Sequence, residues 1–145
     1  MVLGRSARFS KSAVLRQVPL FRDLAPRQID QIARLADEVD VPAGKRLATT
    51  GETGYELFVI LEGIATVKAG RGRTSRLGRG EFFGEMSLVD GGPRSATVDA
   101  TTDMRLLVVG RREFWQLLNA APPLILKIMS ALSRRVRDAE SSTSD

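Results

Sequence analysis

The sequence predicts one α+β domain, in which an antiparallel β-roll or jelly-roll core is flanked by N-terminal helices and by a C-terminal helix pair. The chain has 145 residues, of which 43% are hydrophobic and 27% are charged, a size and mix that suit one globular domain. Short apolar runs separated by glycines fill residues 38–109, whereas apolar residues recur at helical spacing on both sides of that region.

The N-terminal part divides into a basic leader and a helical segment. The formal net charge of +5 is concentrated in residues 1–22, because the rest of the chain carries 17 basic and 17 acidic residues. We therefore predict a flexible, solvated leader over residues 1–12. Residues 12–35 predict short helices broken at Pro19 and Pro26, with a helix start between Asp23 and Pro26.

The central part predicts short strands joined by tight turns, with the spacing of a β-roll or a sandwich. Tyr55 to Leu61 and Arg105 to Val109 are continuous apolar runs, which favour strands buried on both faces. Ile64 to Lys68 alternates between apolar and polar residues and predicts a half-buried strand.

The C-terminal part predicts two helices. Phe114, Leu117 and Leu118 define a short amphipathic helix, and Pro122 and Pro123 interrupt the pattern. A second apolar stripe follows, which consists of Leu124, Ile125, Ile128, Leu132 and Val136. We place the folded domain at residues 13–139 and a disordered polar tail at residues 140–145.

The composition excludes several functional classes. The chain contains no cysteine and no histidine, so disulfides, thiolate zinc sites, histidine-held metals and serine–histidine triads cannot form. No apolar stretch approaches the roughly 18 residues of a membrane span, and residues 1–14 lack the apolar middle of a signal peptide. We expect a cytoplasmic protein that needs no metal, no cofactor and no membrane.

The segment from Gly80 to Val98 combines a glycine, an acidic residue and an arginine that together could bind a small polar ligand. Gly84 permits close approach of a backbone to a ligand, and the turn that starts at Glu85 presents free N–H groups to an anion. Since a carboxylate repels phosphate, Glu85 is better suited to accept hydrogen bonds from ribose hydroxyls. Arg94, which follows Pro93, can return to the same pocket and bind phosphate oxygens through its fork of donors.

Residues 83–88, Phe-Gly-Glu-Met-Ser-Leu, and residues 93–98, Pro-Arg-Ser-Ala-Thr-Val, closely resemble the phosphate-binding cassette of cyclic nucleotide-binding domains. The turns at residues 42–44 and 51–54, the run 57–63 and the entry 18–21 also resemble that family, so the resemblance covers residues 14–138. It implies that Glu85 binds the ribose 2′-hydroxyl and that Arg94 binds the cyclic phosphate. The other ligand-binding positions that it implies are Phe83, Gly84, Met86, Ser87, Ser95, Ala96, Val67, Thr74 and, on a C-terminal lid helix over the purine, Arg135.

The resemblance implies a regulatory sensor without enzymatic activity, whose partners are a cyclic mononucleotide and an effector domain or protein. We predict that its ligand is 3′,5′-cyclic AMP, that Ser95 also permits cyclic GMP, and that binding moves the C-terminal helix. We expect no sequence-specific DNA binding by this chain. The alternative is a degenerate β-roll scaffold that binds nucleic acid or acidic proteins through its basic leader and the basic hairpin from Lys68 to Arg79. An enzymatic function is less favoured because Val89, and not a second carboxylate, stands one turn after Glu85.

Overall fold

The computed structural model describes residues 11–85 and 92–143, and for residues 71, 135, 136 and 138–143 it describes the backbone alone. The predicted class is confirmed, since two antiparallel sheets form a β-roll that is flanked by helices. The described helices are α1 (Lys11–Leu15), α2 (Pro26–Leu35), α3 (Arg111–Ala120) and α4 (Pro122–Thr143), with a 3₁₀ turn at Gly70–Gly72. The strands are β1 (Asp37–Val41), β2 (Arg46–Ala48), β3 (Glu56–Glu62), β4 (Ala65–Lys68), β5 (Thr74–Leu77), β6 (Phe82–Phe83), β7 (Thr97–Ala100) and β8 (Met104–Gly110).

Each sheet has four strands. The first sheet has the order β1-β8-β3-β6, the second has the order β2-β7-β4-β5, and every described pair is antiparallel. The inner faces of the two sheets enclose one apolar cluster, which contains Phe58, Ile60 and Phe83. The helices cover the outer face of the first sheet and enclose a second cluster with Leu57, Val59 and Leu61.

The position of strand β3 between the helices and the second sheet explains why its residues are apolar without alternation. Its odd-numbered residues from Leu57 to Leu61 pack against the helices, and its even-numbered residues Phe58 and Ile60 point into the roll. Both faces are therefore buried, as predicted from the continuous run. The prediction was wrong for Tyr55, which precedes the strand and is 57% exposed.

The N-terminal helices begin and end close to the predicted positions. Pro26 is the first residue of α2, and the side chain of Gln28 accepts a hydrogen bond from the backbone N–H of Ala25 at 2.9 Å. α1 already begins at Lys11, two residues before the predicted domain boundary. The ammonium of Lys11 donates to the carbonyls of Ala33 and Ala36 at 3.1 and 2.6 Å, which fastens α1 to the end of α2. Residues 1–10 of the predicted leader lie outside the described residues.

The C-terminal helices also differ from the prediction in two details. Pro122 and Pro123 are the first residues of α4. Proline suits this position because the N–H groups of the first turn have no carbonyl acceptor within the helix, so the missing N–H of proline costs no hydrogen bond. Leu124 and Ile128 are buried in the helix-side cluster, but Ile125 is 39% exposed and does not belong to the buried stripe. α4 continues to Thr143, beyond the predicted domain end at residue 139.

Candidate phosphate and ribose site

The backbone of Arg94 is fixed by the turn between β2 and β3. Its N–H donates to the carbonyl of Glu52 at 2.8 Å, and its carbonyl accepts from the N–H of Gly51 at 2.9 Å. Thr53 and Pro93 form a single antiparallel bridge beside these bonds. Two segments that are 40 residues apart in the chain therefore hold Arg94 at a defined position.

The guanidinium of Arg94 is buried inside the roll, and the residue is only 7% exposed. Its Nη1 donates to the carbonyl of Gly84 at 3.2 Å, and its Cζ lies 5.8 Å from the ring centroid of Phe58. Burial lowers the pKa of Arg94, while the nearby carboxylates of Glu56 and Glu85 oppose that effect. Because an arginine in a protein stays protonated, the site holds a permanent and partly desolvated positive charge.

Gly54 and Gly84 make room for this guanidinium. A Cβ atom on Gly54 would overlap the Nε, Cζ and Nη2 atoms of Arg94. Gly84 has a φ of +94°, and a Cβ atom there would approach both the carbonyl oxygen of Glu56 and Nη1 of Arg94 to 2.6 Å. Both positions therefore require glycine for the observed packing.

Glu85 follows Gly84 directly and is the first residue with helical backbone after β6. It is 3% exposed, and its carboxylate is close enough to Arg94 to raise the pKa of the guanidinium. The structure thus brings together the two residues that the sequence predicted as a pair. A fixed cation lies near a carboxylate, so N–H donors and a strong acceptor are close together at the end of β6.

Val67 in β4 and Thr74 in β5, which were predicted near the sugar and base, lie on opposite faces of the sheet. Val67 is half-buried and packs against the cluster between the sheets. Thr74 pairs with Lys68, and it is exposed on the opposite, outer face of the sheet. Thr74 therefore does not share the face of Val67, whereas Ser75, the cross-strand partner of Val67, does.

The remaining predicted site residues have different surroundings. Phe83 is buried and stacks on Phe58 with ring centroids 4.8 Å apart and an interplanar angle of 15°. Ser95 is exposed and Ala96 is half-buried, directly after Arg94. Met86 and Ser87 lie outside the described residues, as does the side chain of Arg135.

The sequence analysis missed three residues that position Arg94. Gly54, Glu56 and Phe58 contribute a space, a nearby carboxylate and an aromatic face, respectively. Gly54 belongs to the turn at residues 51–54, which already resembled the family. That resemblance was the signal that could have identified Gly54. Phe58 lies in a buried run, where the sequence does not show which face of the strand it occupies.

The described part of α4 packs beside the N-terminal segment. Leu124 and Ile128 join the helix-side cluster, which also contains Leu20 and Phe21. Lys127 Nζ lies 3.3 Å from Oδ2 of Asp23. α4 therefore contacts the N-terminal helical segment through an apolar cluster and through an ion pair.

The comparisons with known proteins agree with this geometry. The family model for the cyclic nucleotide-binding domain matches residues 38–121. The chain belongs to the cyclic nucleotide-binding domain family. Its structure is similar to that of a cyclic nucleotide-binding domain from Methylobacillus flagellatus, with a TM-score of 0.75 and 26% identity over 92% of this chain and 80% of the other.

Two curated relatives indicate where such domains occur. A cyclic nucleotide-gated potassium channel of Rhizobium etli is 42% identical over 120 residues, which cover 81% of this chain and 33% of the channel. The cyclic AMP receptor protein of Thermus thermophilus is 35% identical over 127 residues, which cover 84% of this chain and 59% of the receptor. The chain thus spans between a third and three fifths of these relatives. No described helix of this chain has the length and apolar character needed to cross a membrane.

Proposed function

We propose that this cyclic nucleotide-binding domain is a non-catalytic sensor of 3′,5′-cyclic AMP, in which Arg94 binds the cyclic phosphate and Glu85 binds the ribose 2′-hydroxyl. The observation that carries the proposal is the burial of Arg94 and Glu85 side by side at the end of β6. Burying a charged residue is costly unless a partner of opposite charge or a ligand compensates it. A scaffold that binds no ligand has no need for this pair.

The two side chains match the two polar parts of a cyclic nucleotide. The cyclic phosphate carries one negative charge and two free oxygens, which the planar guanidinium of Arg94 can bind with two N–H groups. The ribose 2′-hydroxyl is a donor, and the carboxylate of Glu85 is an acceptor. We assign the rest of the phosphate cradle to Gly84, Ser95 and Ala96 and, as the family resemblance implies, to Met86 and Ser87.

Cyclic AMP is the ligand that the named relatives favour, because the similar protein from Thermus thermophilus is called a cyclic AMP receptor protein. Val67 and Ser75 are the inner-face candidates on β4 and β5 for contacts with the sugar and base, and Phe83, in the same apolar cluster as Val67, is a further candidate. Arg135 in α4 is the candidate for the purine. We expect cyclic AMP to bind about 5- to 30-fold more tightly than cyclic GMP, a difference of about 1–2 kcal/mol.

Isothermal titration calorimetry with cyclic AMP, cyclic GMP and 5′-AMP tests the phosphate assignment. Arg94→Ala should weaken cyclic AMP binding by about 2–5 kcal/mol, or about 30- to 5,000-fold, because a buried charge loses its partner. Arg94→Lys should restore part of the affinity, since an ammonium makes no bidentate contact. The matched control is Arg76→Ala, which removes an exposed arginine from the outer face of β5 and should leave affinity unchanged. Parental affinity in Arg94→Ala would overturn the proposal.

We further propose that ligand binding shifts α4 and that an effector domain or protein reads its position. A helix that closes over the base only when phosphate and ribose are bound converts ligand affinity into a conformational equilibrium. The contacts of Leu124, Ile128 and Lys127 with the N-terminal segment provide the mechanical link. Hydrogen exchange measured by mass spectrometry should show slower exchange of amides in residues 131–143 with saturating cyclic AMP. Equal exchange with and without ligand would contradict the coupling.

A further inference from the structure

The outer face of the second sheet is polar and has more basic than acidic residues. Cross-strand pairing aligns Arg46, Asp99, Thr66 and Arg76 in one row, and Thr97, Lys68 and Thr74 in the next. These side chains point away from the apolar cluster between the sheets, and the described helices pack on the other sheet. Thr66, Thr74 and Arg76 line a shallow depression at the free edge of this face.

The charges of this face are unbalanced. The carboxylate of Asp99 lies 2.8 Å from Nε of Arg46 and 3.9 Å from Nζ of Lys68, so one acidic residue is shared by two basic ones. In the part of the chain that the structure describes, Arg76 makes no ion pair. The face therefore carries an excess of positive charge at the end nearest β5.

Strand β5 is also an open edge. Within the described ranges it pairs only with β4. The backbone N–H of Ala69 donates to the carbonyl of Arg73 at 2.9 Å, which fixes the alternation of bonded and non-bonded pairs along this hairpin. The same alternation directs the backbone N–H and carbonyl groups of Thr74 and Arg76 away from β4. These groups can pair with another extended chain.

We propose that β5 and the basic face beside it bind an extended acidic segment of a partner protein. The segment adds as a strand to the free edge, and its acidic side chains lie over Arg76 and Lys68. Addition of a strand uses backbone groups for affinity and alternate side chains for specificity. This surface is the outer face and free edge of the second sheet, and the one nucleotide candidate that it includes, Ser75, directs its side chain to the opposite, inner face.

Two features favour an acidic protein segment over a nucleic acid. Thr74 and Arg76 direct backbone groups to the edge, and these groups match a peptide and not a sugar–phosphate chain. No aromatic side chain stands in the two described rows, so bases have no stacking surface.

A fluorescein-labelled decapeptide of alternating glutamate and threonine provides the probe, with binding followed by fluorescence anisotropy at low salt. The peptide should bind saturably, and Arg76→Glu should weaken binding at least tenfold. Arg112→Glu makes the same change of charge at an exposed position of α3 and should alter binding less than threefold. Thermal unfolding and cyclic AMP calorimetry of both variants should match the parent, which shows that the fold and the nucleotide site are intact.

Two further probes distinguish strand addition from simple charge attraction. The same decapeptide with an N-methyl group on every residue has no backbone N–H to donate along either edge, so it should bind at least tenfold more weakly than the unmodified peptide. A single-stranded oligonucleotide of equal charge should also bind at least tenfold more weakly. Equal binding of the methylated peptide, tighter binding of the oligonucleotide, or equal effects of Arg76→Glu and Arg112→Glu would each overturn the proposal.

Discussion

Replacing Glu38 with methionine should stabilise the fold in a pH-dependent way. Glu38 lies in β1, is 4% exposed, and has one carboxylate oxygen, Oε1, without a hydrogen-bond partner in the described part of the chain. Burial raises the pKa of Glu38, Asp40 and Glu62 add to that effect, and Arg105 and Lys11 oppose it. The charged form of this residue is therefore unfavourable in the folded state.

Removal of this carboxylate leaves no buried cation unpaired. Arg105 retains Asp40 at 3.2 Å and Glu62 at 3.6 Å, and Lys11 retains the carbonyls of Ala33 and Ala36. A buried polar atom without a partner costs about 1–3 kcal/mol. Allowing for the opposing attraction of Arg105 and Lys11, we expect Glu38→Met to gain about 1–2 kcal/mol at pH 8, or about 3–6 °C in Tm.

The sign of the pH dependence follows from the raised pKa of Glu38. Between the unfolded and folded pKa values the folded chain binds more protons than the unfolded chain, so the contribution of Glu38 to stability falls as pH rises through that window. The advantage of Glu38→Met should therefore be largest above the folded pKa of Glu38 and shrink as pH falls through it.

Urea unfolding followed by circular dichroism at pH 4.5, 6 and 8 measures this difference. Glu62→Met is the matched control, because Glu62 is exposed and pairs with the same Arg105. Its effect should stay within about 0.5 kcal/mol of the parent at every pH. Destabilisation by Glu38→Met at pH 8, or a gain of the same size at all three pH values, would refute the reasoning.

Three other predictions concern the site and the two ends of the chain. Gly84→Ala should destabilise the fold by about 1–3 kcal/mol and weaken cyclic AMP binding, because φ is +94° and the new Cβ would meet Glu56 and Arg94; urea unfolding and calorimetry measure both effects. Deletion of residues 1–10 should change cyclic AMP affinity less than threefold, or about 0.7 kcal/mol, whereas removal of Lys11 as well should lower the free energy of unfolding. Truncation after residue 135 should lower cyclic AMP affinity and remove most of the preference over cyclic GMP, and an undiminished preference in calorimetry would place selectivity in the β-roll.

The sequence predicted the fold class because the short apolar runs of the strands differ clearly from the three- and four-residue apolar spacing of the helices. The continuous run of β3 indicated a strand covered on both faces, and the helix-side and roll-side clusters confirm this. Pro26 predicted the start of α2 because proline is compatible with only a few positions in a helix. Gly84, Glu85 and Arg94 of the cassette-like segment predicted that Glu85 and Arg94 lie in one site. The burial of both residues close together agrees with this prediction.

Other features depend on contacts that local patterns do not encode. The face of the sheet that Thr74 occupies was not predictable, because the length of the turn after Lys68 sets the phase of β5, and a shift of one residue exchanges the two faces. Ile125 has the composition of a buried residue but lies on the exposed side of α4. The burial of Glu38 and the space that Gly54 leaves for Arg94 arise from chain segments that are distant in sequence.

The assignment of Glu85 to the ribose is tested most directly by a cycle that compares cyclic AMP with 2′-deoxy-cyclic AMP on the parent chain and on Glu85→Ala. On the parent, loss of the 2′-hydroxyl should weaken binding by about 1.5–3 kcal/mol, the magnitude of a hydrogen bond to a charged group. On Glu85→Ala, the two nucleotides should bind within about 0.5 kcal/mol of each other, since the acceptor is absent. Glu62→Ala should retain the parental difference, because Glu62 is exposed at the far end of β3. An equal loss of affinity for the deoxy nucleotide on the parent and on Glu85→Ala would contradict the proposed site.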